Sequence, residues 1–107
     1  MSRLECFDAL RVLATTCGGL RAGERTLIVT DSAADQDIVA AMAAVLRTLG
    51  ADVVTVGSAP AELPGDDPPA AVGAAMLEAD LIVELTSVFI GSCQARRTAC
   101  ERGARYL

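Results

Sequence analysis

Histidine, lysine and tryptophan are missing from this chain, and aromatic residues make up only 3% of it. The absence of histidine removes the commonest metal ligand and the commonest general base together. The absence of lysine excludes a glycine-rich phosphate loop that ends in Lys. The basic residues are all arginines, scattered singly apart from Arg96 and Arg97, and they are outnumbered 9 to 14 by acids. A nucleic-acid groove needs a clustered basic face and stacking aromatics, so that class is disfavoured.

Long apolar runs are also missing. The longest uncharged apolar stretch, residues 38–46, covers about half of a bilayer core, and Glu5 interrupts the start where a signal peptide needs an apolar segment. The expected location is the cytoplasm, with no membrane partner. The four cysteines, Cys6, Cys17, Cys93 and Cys100, show no two-residue gap of the zinc-knuckle or thioredoxin type. In a reducing compartment they read as small apolar side chains.

What is present is apolar material: 52% of 107 residues, with mean hydropathy +0.43. A chain of this length buries roughly 65% of its unfolded surface and sustains one hydrophobic core. A single domain over residues 1–107 is therefore expected, and disorder is excluded for most of it.

The apolar spacing alternates between two periods. Leu4, Phe7, Leu10, Leu13 and Cys17 recur at helical intervals until Gly18-Gly19. Residues 26–30 are a β-branched run of the kind buried in a parallel strand. Ser32-Ala33-Ala34-Asp35 reads as a capping box, and Ile38, Val39, Met42, Val45, Leu46 and Leu49 mark the helix that follows, ended by Gly50. A second strand spans 52–57. Residues 58–67 form a polar loop, and Asp67-Pro68 predicts a helix start with Asp as the cap. A third strand covers 81–85. The last helix runs from about Ser92 or Cys93 to Arg102, and residues 104–107 open a fourth strand.

Strict alternation of helix and strand predicts an α/β fold: a three-layer, doubly wound, Rossmann- or flavodoxin-like sheet, mostly parallel. Strand order 2-1-3-4 places the polar ends of the first and third strands side by side at the switch point. The architecture is expected to stop after the fourth helix.

Ligands of such sheets bind at the carboxyl ends of the strands. Here those ends carry Asp31, Ser32, Ser58, Thr86 and Ser87, the candidate contacts for a small polar ligand. Capping and strand-end hydrogen bonding are the plainer roles for the same residues. No glycine follows the first strand, and Asp31 stands where pyrophosphate would approach, so no nucleotide cofactor is expected. The acids Asp31, Asp35, Asp37, Glu62, Asp66 and Asp67 match no cation loop, and no metal is assigned to them. Cys93 at a helix start would have its thiolate favoured by the dipole, but the chain offers it no base. Arg96, Arg97, Arg102 and Arg105 make the C-terminal region basic. They complement the last helical turn, or Arg96, Arg97 and Arg105 face a partner.

The segment Arg21-Ala22-Gly23-Glu24-Arg25-Thr26-Leu27-Ile28-Val29-Thr30-Asp31, preceded by Thr16-Cys17-Gly18, resembles the opening of the thermophilic aminopeptidase-like (M29, aminopeptidase T) superfamily. That superfamily also holds leucyl aminopeptidase-like proteins and 2,5-dihydroxypyridine dioxygenase. Glu78-Ala79-Asp80-Leu81-Ile82-Val83, Thr86-Ser87, Ala95-Arg96-Arg97-Thr98-Ala99 and Gly103-Ala104-Arg105 are similar to the third strand, fourth helix and fourth strand start of the same N-terminal domain. The resemblance implies members about three times longer, whose metal ligands come from a C-terminal domain. No catalytic residue carries over, and no cofactor is implied for these residues. The expectation is a non-catalytic domain or small subunit, partnered by itself as a homodimer or by a separate metal-binding subunit. The alternatives are a ligand-binding module and a dimerising interaction protein.

Overall fold

The computed structural model describes residues 2–107. Its elements follow the order α1 (Arg3–Val12), a π-helical turn (Leu13–Cys17), β1 (Arg25–Asp31), α2 (Gln36–Thr48), β2 (Asp52–Ser58), α3 (Ala70–Leu77), β3 (Leu81–Leu85), α4 (Gln94–Glu101) and β4 (Arg105–Tyr106). All the strand pairs are parallel, in the order β2-β1-β3-β4.

The strands read as apolar runs because both faces of the sheet are covered. Side chains alternate across the pleat, so Ile28, Leu81 and Val83 pack with Leu10, Val39, Met42 and Leu46 on the α1/α2 side. Leu27, Val29 and Ile82 pack with Val72, Met76 and Ala99 on the α3/α4 side. Met42, Leu46, Met76 and Ile28 are fully buried. Truncating any one of them to alanine costs about 2–5 kcal/mol, the transfer loss plus the cavity left behind.

Local chemistry sets the helix ends, and three differ from expectation. Ser2 and Glu5 form a reciprocal capping box at the start of α1. The same helix does not stay α-helical to Cys17: Gly18 N–H donates to Leu13 O at 2.8 Å, the wider π closure. Ser32 is not the cap of α2. Asp35 is, accepting from Asp37 and Ile38 N–H, because Asp31 and not Ser32 organises the preceding turn. Asp67 does not cap α3, which begins three residues later at Ala70. Pro69 drives Pro68 away from helical torsions, so the helix cannot start there.

The fourth helix carries a further correction. Arg96 and Arg97 lie in its first turn rather than its last, which contains no basic residue. Arg102 follows as the C-cap.

Candidate functional site

Parallel register brings the carboxyl ends of β1, β2 and β3 to one rim, with Asp31 beside Ser58 and Thr30 beside Leu85. An open cleft of about 400 Å³ lies there, walled by Asp31, Ser58, Pro60, Glu62, Asp66 and Thr86 among others. Ser32 and Ser87 are not on its wall.

Asp31 is the best-held side chain of the rim and is 3% exposed. Ser87 donates to it twice over: its N–H at 2.8 Å, and its hydroxyl at 2.8 and 2.9 Å to the two carboxylate oxygens. Ala33 N–H adds a bond at 3.0 Å. Burial pushes this carboxyl up, but the Ser87 hydroxyl and the N–H groups of Ser87, Ala33 and Ala34 outweigh it and hold it below the usual range. The carboxylate is ionised and fully engaged. It clamps the β1–α2 turn to the loop after β3.

The neighbouring polar groups are engaged in the same way. Ser32 N–H donates to Ser58 O at 3.0 Å, stitching the ends of β1 and β2, and the Ser58 hydroxyl donates to Ala59 O. Thr86 donates its hydroxyl to Glu84. Two of the rim acids are bound to backbone: Asp66 accepts from Leu63 N–H of its own loop at 3.0 Å, and Asp67 from Ala95 N–H in the first turn of α4 at 2.9 Å. Asp67 therefore supports the start of α4 instead of α3.

A second carboxylate centre, invisible to motif reading, sits on β3. Glu84 accepts from Ile90 N–H at 2.9 Å and from the Tyr106 hydroxyl at 2.5 Å, besides Thr86. The only tyrosine of the chain is thereby held protonated, since burial and the adjacent Glu84 carboxylate both raise its pKa. The guanidinium of Arg96 stacks over its ring at 5.2 Å. The signal available in sequence was a single acid inside the apolar run Leu-Ile-Val-Glu-Leu.

Cys93 is the N-cap of α4 and is 1% exposed. Burial pushes its thiol up, against the effect of the Arg96 N–H on its sulfur, so the helix start does not make it a thiolate. The cysteines Cys6, Cys17, Cys93 and Cys100 are all free. Arg105 points into its own chain: it donates to Glu24 at 2.6 Å and to Gly18 O at 2.9 Å. Arg97 is exposed.

The superfamily resemblance implies a metal ion in the larger proteins, and the residues here do not fit one. Among the described residues, no three acidic or cysteine side chains converge as a ligand set. The buried acid of the rim already spends its oxygens on Ser87 and Ala33. Nor is any described helix long and apolar enough to cross a membrane.

No family profile matches the chain, and no curated protein matches it in sequence. Its fold is similar to a solved structure, 2,5-dihydroxypyridine dioxygenase from Pseudomonas putida KT2440, with TM-score 0.75 and 15% identity. The alignment covers 99% of this chain and 34% of the dioxygenase chain. The likeness establishes the shared fold, and the chain spans about a third of that protein.

Proposed function

We propose that this chain is a non-catalytic α/β domain or small subunit of an aminopeptidase-like (M29) metalloprotein, the scaffold beside which a separate metal-binding domain does the chemistry. The observation that carries this reading is the alignment of nearly the whole chain with only 34% of a dioxygenase chain. The engagement of Asp31 and Glu84 in internal hydrogen bonds supports it, since neither offers a free base or a ligand set. The test is an assay of the purified chain with divalent metals against peptide substrates and 2,5-dihydroxypyridine. No turnover alone, with activity restored by a metal-binding domain supplied in trans, is the expected outcome. Turnover by this polypeptide by itself would overturn the reading.

A second reading, a small polar-ligand module, is favoured by the cleft of about 400 Å³ that opens between Ser58, Thr86 and Asp31. A metabolite panel screened by thermal shift tests it. A stabilising compound whose effect is lost in Ser58→Ala supports it, and the absence of any such compound removes it.

A further inference from the structure

The wall of the strand-end cleft is one-sided in what it offers a ligand. Its side-chain donors are the hydroxyls of Thr30, Ser58 and Thr86, and all three turn to oxygens of the chain itself. Thr30 donates to Asp31 O at 3.5 Å, Ser58 to Ala59 O at 3.1 Å, and Thr86 to the Glu84 carboxylate. Pro60, Pro68 and Pro69 add stretches of wall that have no N–H to give. No arginine lines the cleft.

Acceptors, by contrast, are left over. Asp66 gives Oδ2 to Leu63 N–H and Asp67 gives Oδ1 to Ala95 N–H, so each keeps its other carboxylate oxygen. Glu62 is the third open carboxylate of the wall, and among the described residues no arginine forms an ion pair with any of the three. An occupant must therefore bring the donors. A carboxylate or phosphate would meet like charge, and a neutral acceptor would strip water from the carboxylates without replacing it. A bare metal ion fits poorly, because no three acidic side chains converge as a ligand set among the described residues. An ammonium group has three N–H bonds to distribute over acceptors that stand apart. The remaining lining, Val29, Ala61, Val88 and Ile90 with the prolines, is apolar, and the volume of about 400 Å³ lies at the small end for small-molecule sites.

We propose that the strand-end cleft takes a small organic cation, a primary ammonium group on an apolar body, with Glu62, Asp66 and Asp67 receiving the ammonium and Val88 and Ile90 the body. The assignment rests on the ligand-module reading of the cleft and names the class of its ligand. The open acceptors set the sign of the charge, and the apolar wall supplies the attraction for the rest of the molecule.

Amide NMR titration of the full chain tests it, with hexylammonium, 1-hexanol and hexanoate as probes that share a body and differ in head group. Hexylammonium is expected to shift the amides of Glu62, Asp66, Asp67 and Val88 and to bind about tenfold more tightly than 1-hexanol, while hexanoate leaves those amides unmoved. Combining Glu62→Gln with Asp66→Asn is expected to bring hexylammonium close to the level of 1-hexanol. Both changes keep side-chain volume, and the asparagine still accepts from Leu63 N–H, so the loop is retained; far-ultraviolet circular dichroism confirms the fold. Four results would each overturn the proposal: 1-hexanol or hexanoate matching hexylammonium, undiminished affinity in the double variant, no binding of hexylammonium at the cleft, or shifts spread over the whole acidic surface. The ligand-module reading fails separately, when no compound of the metabolite panel stabilises the chain. A neutral or anionic panel compound whose effect is lost in Ser58→Ala would keep that reading and sink the cation assignment.

Discussion

Two carboxylates organise neighbouring strands of the sheet, and they do so differently. Asp31 ends the central strand β1, is almost fully buried, and receives its donors from Ser87 and from Ala33 in the next turn. Glu84 lies inside β3, is half-buried, and shares its oxygens among a loop N–H, Thr86 and the phenol of β4. The first is an ion held by surplus donors in a dry place; the second accepts from a phenol whose ionisation is opposed by burial and by that contact, nearer the open edge. Burial raises the stake of each hydrogen bond, so the interior carboxylate should be the harder to remove.

The sharpest way to break that contrast is Asp31→Ala, which leaves the N–H and hydroxyl of Ser87 without their acceptor. Urea unfolding should show a loss of about 3–4 kcal/mol, the range for breaking a buried ionic network. A loss below about 1 kcal/mol would mean the clamp is replaceable by water. Glu84→Gln should cost less, about 1–2 kcal/mol, because the amide oxygen still accepts from Ile90 while the amide nitrogen meets the phenol.

Acid titration sharpens the same comparison. The folded carboxyl of Asp31 titrates below its unfolded value near 3.8, so its contribution is fully present above that value and is lost as the pH falls through the lower, folded one. In Asp31→Asn the stability lost on this acid limb should shrink relative to wild type, measured by urea midpoints across the range. An unchanged limb would assign the acid loss to other groups. Tyr106→Phe should cost about 1 kcal/mol through one lost hydrogen bond to Glu84. In the wild-type chain, its single phenol should show no tyrosinate absorbance at a pH where free tyrosine ionises, until the protein unfolds. The smallest effect belongs to the partly exposed pair at the start of the sheet. Arg105→Gln should cost about 0.5–1 kcal/mol and lose part of that difference in high salt.

Much of the architecture was legible because it is written in local period. The third strand has the predicted bounds, Leu81–Leu85, and the first two strands each extend only a residue or so further. Order 2-1-3-4, expected because it sets the polar ends of the first and third strands side by side at the switch point, is the order found. The misread ends have local causes that the pattern concealed. Asp35 captured the cap assigned to Ser32, and the Pro68-Pro69 pair delayed α3 until Ala70.

The rim was half legible. Sequence placed Asp31, Ser58 and Thr86 on the cleft, but it could not show that Ser87 and Ser32 are spent on holding the rim together. It also passed over Glu84 and Tyr106, because an acid in a strand and a terminal tyrosine carry no spacing of their own. Cys93 likewise looked activated by a helix start, and only its surroundings show that burial prevails there.

The sequence by itself determined which stretches become helix and strand and which of their faces turn inward, because those choices depend on residues three, four or two apart. Only the tertiary structure decided where the polar side chains spend their hydrogen bonds. Asp31 and Ser87 are 56 positions apart and Glu84 and Tyr106 are 22, and each pair meets through sheet register. No local pattern encodes a contact across that distance; it exists once the strands lie side by side.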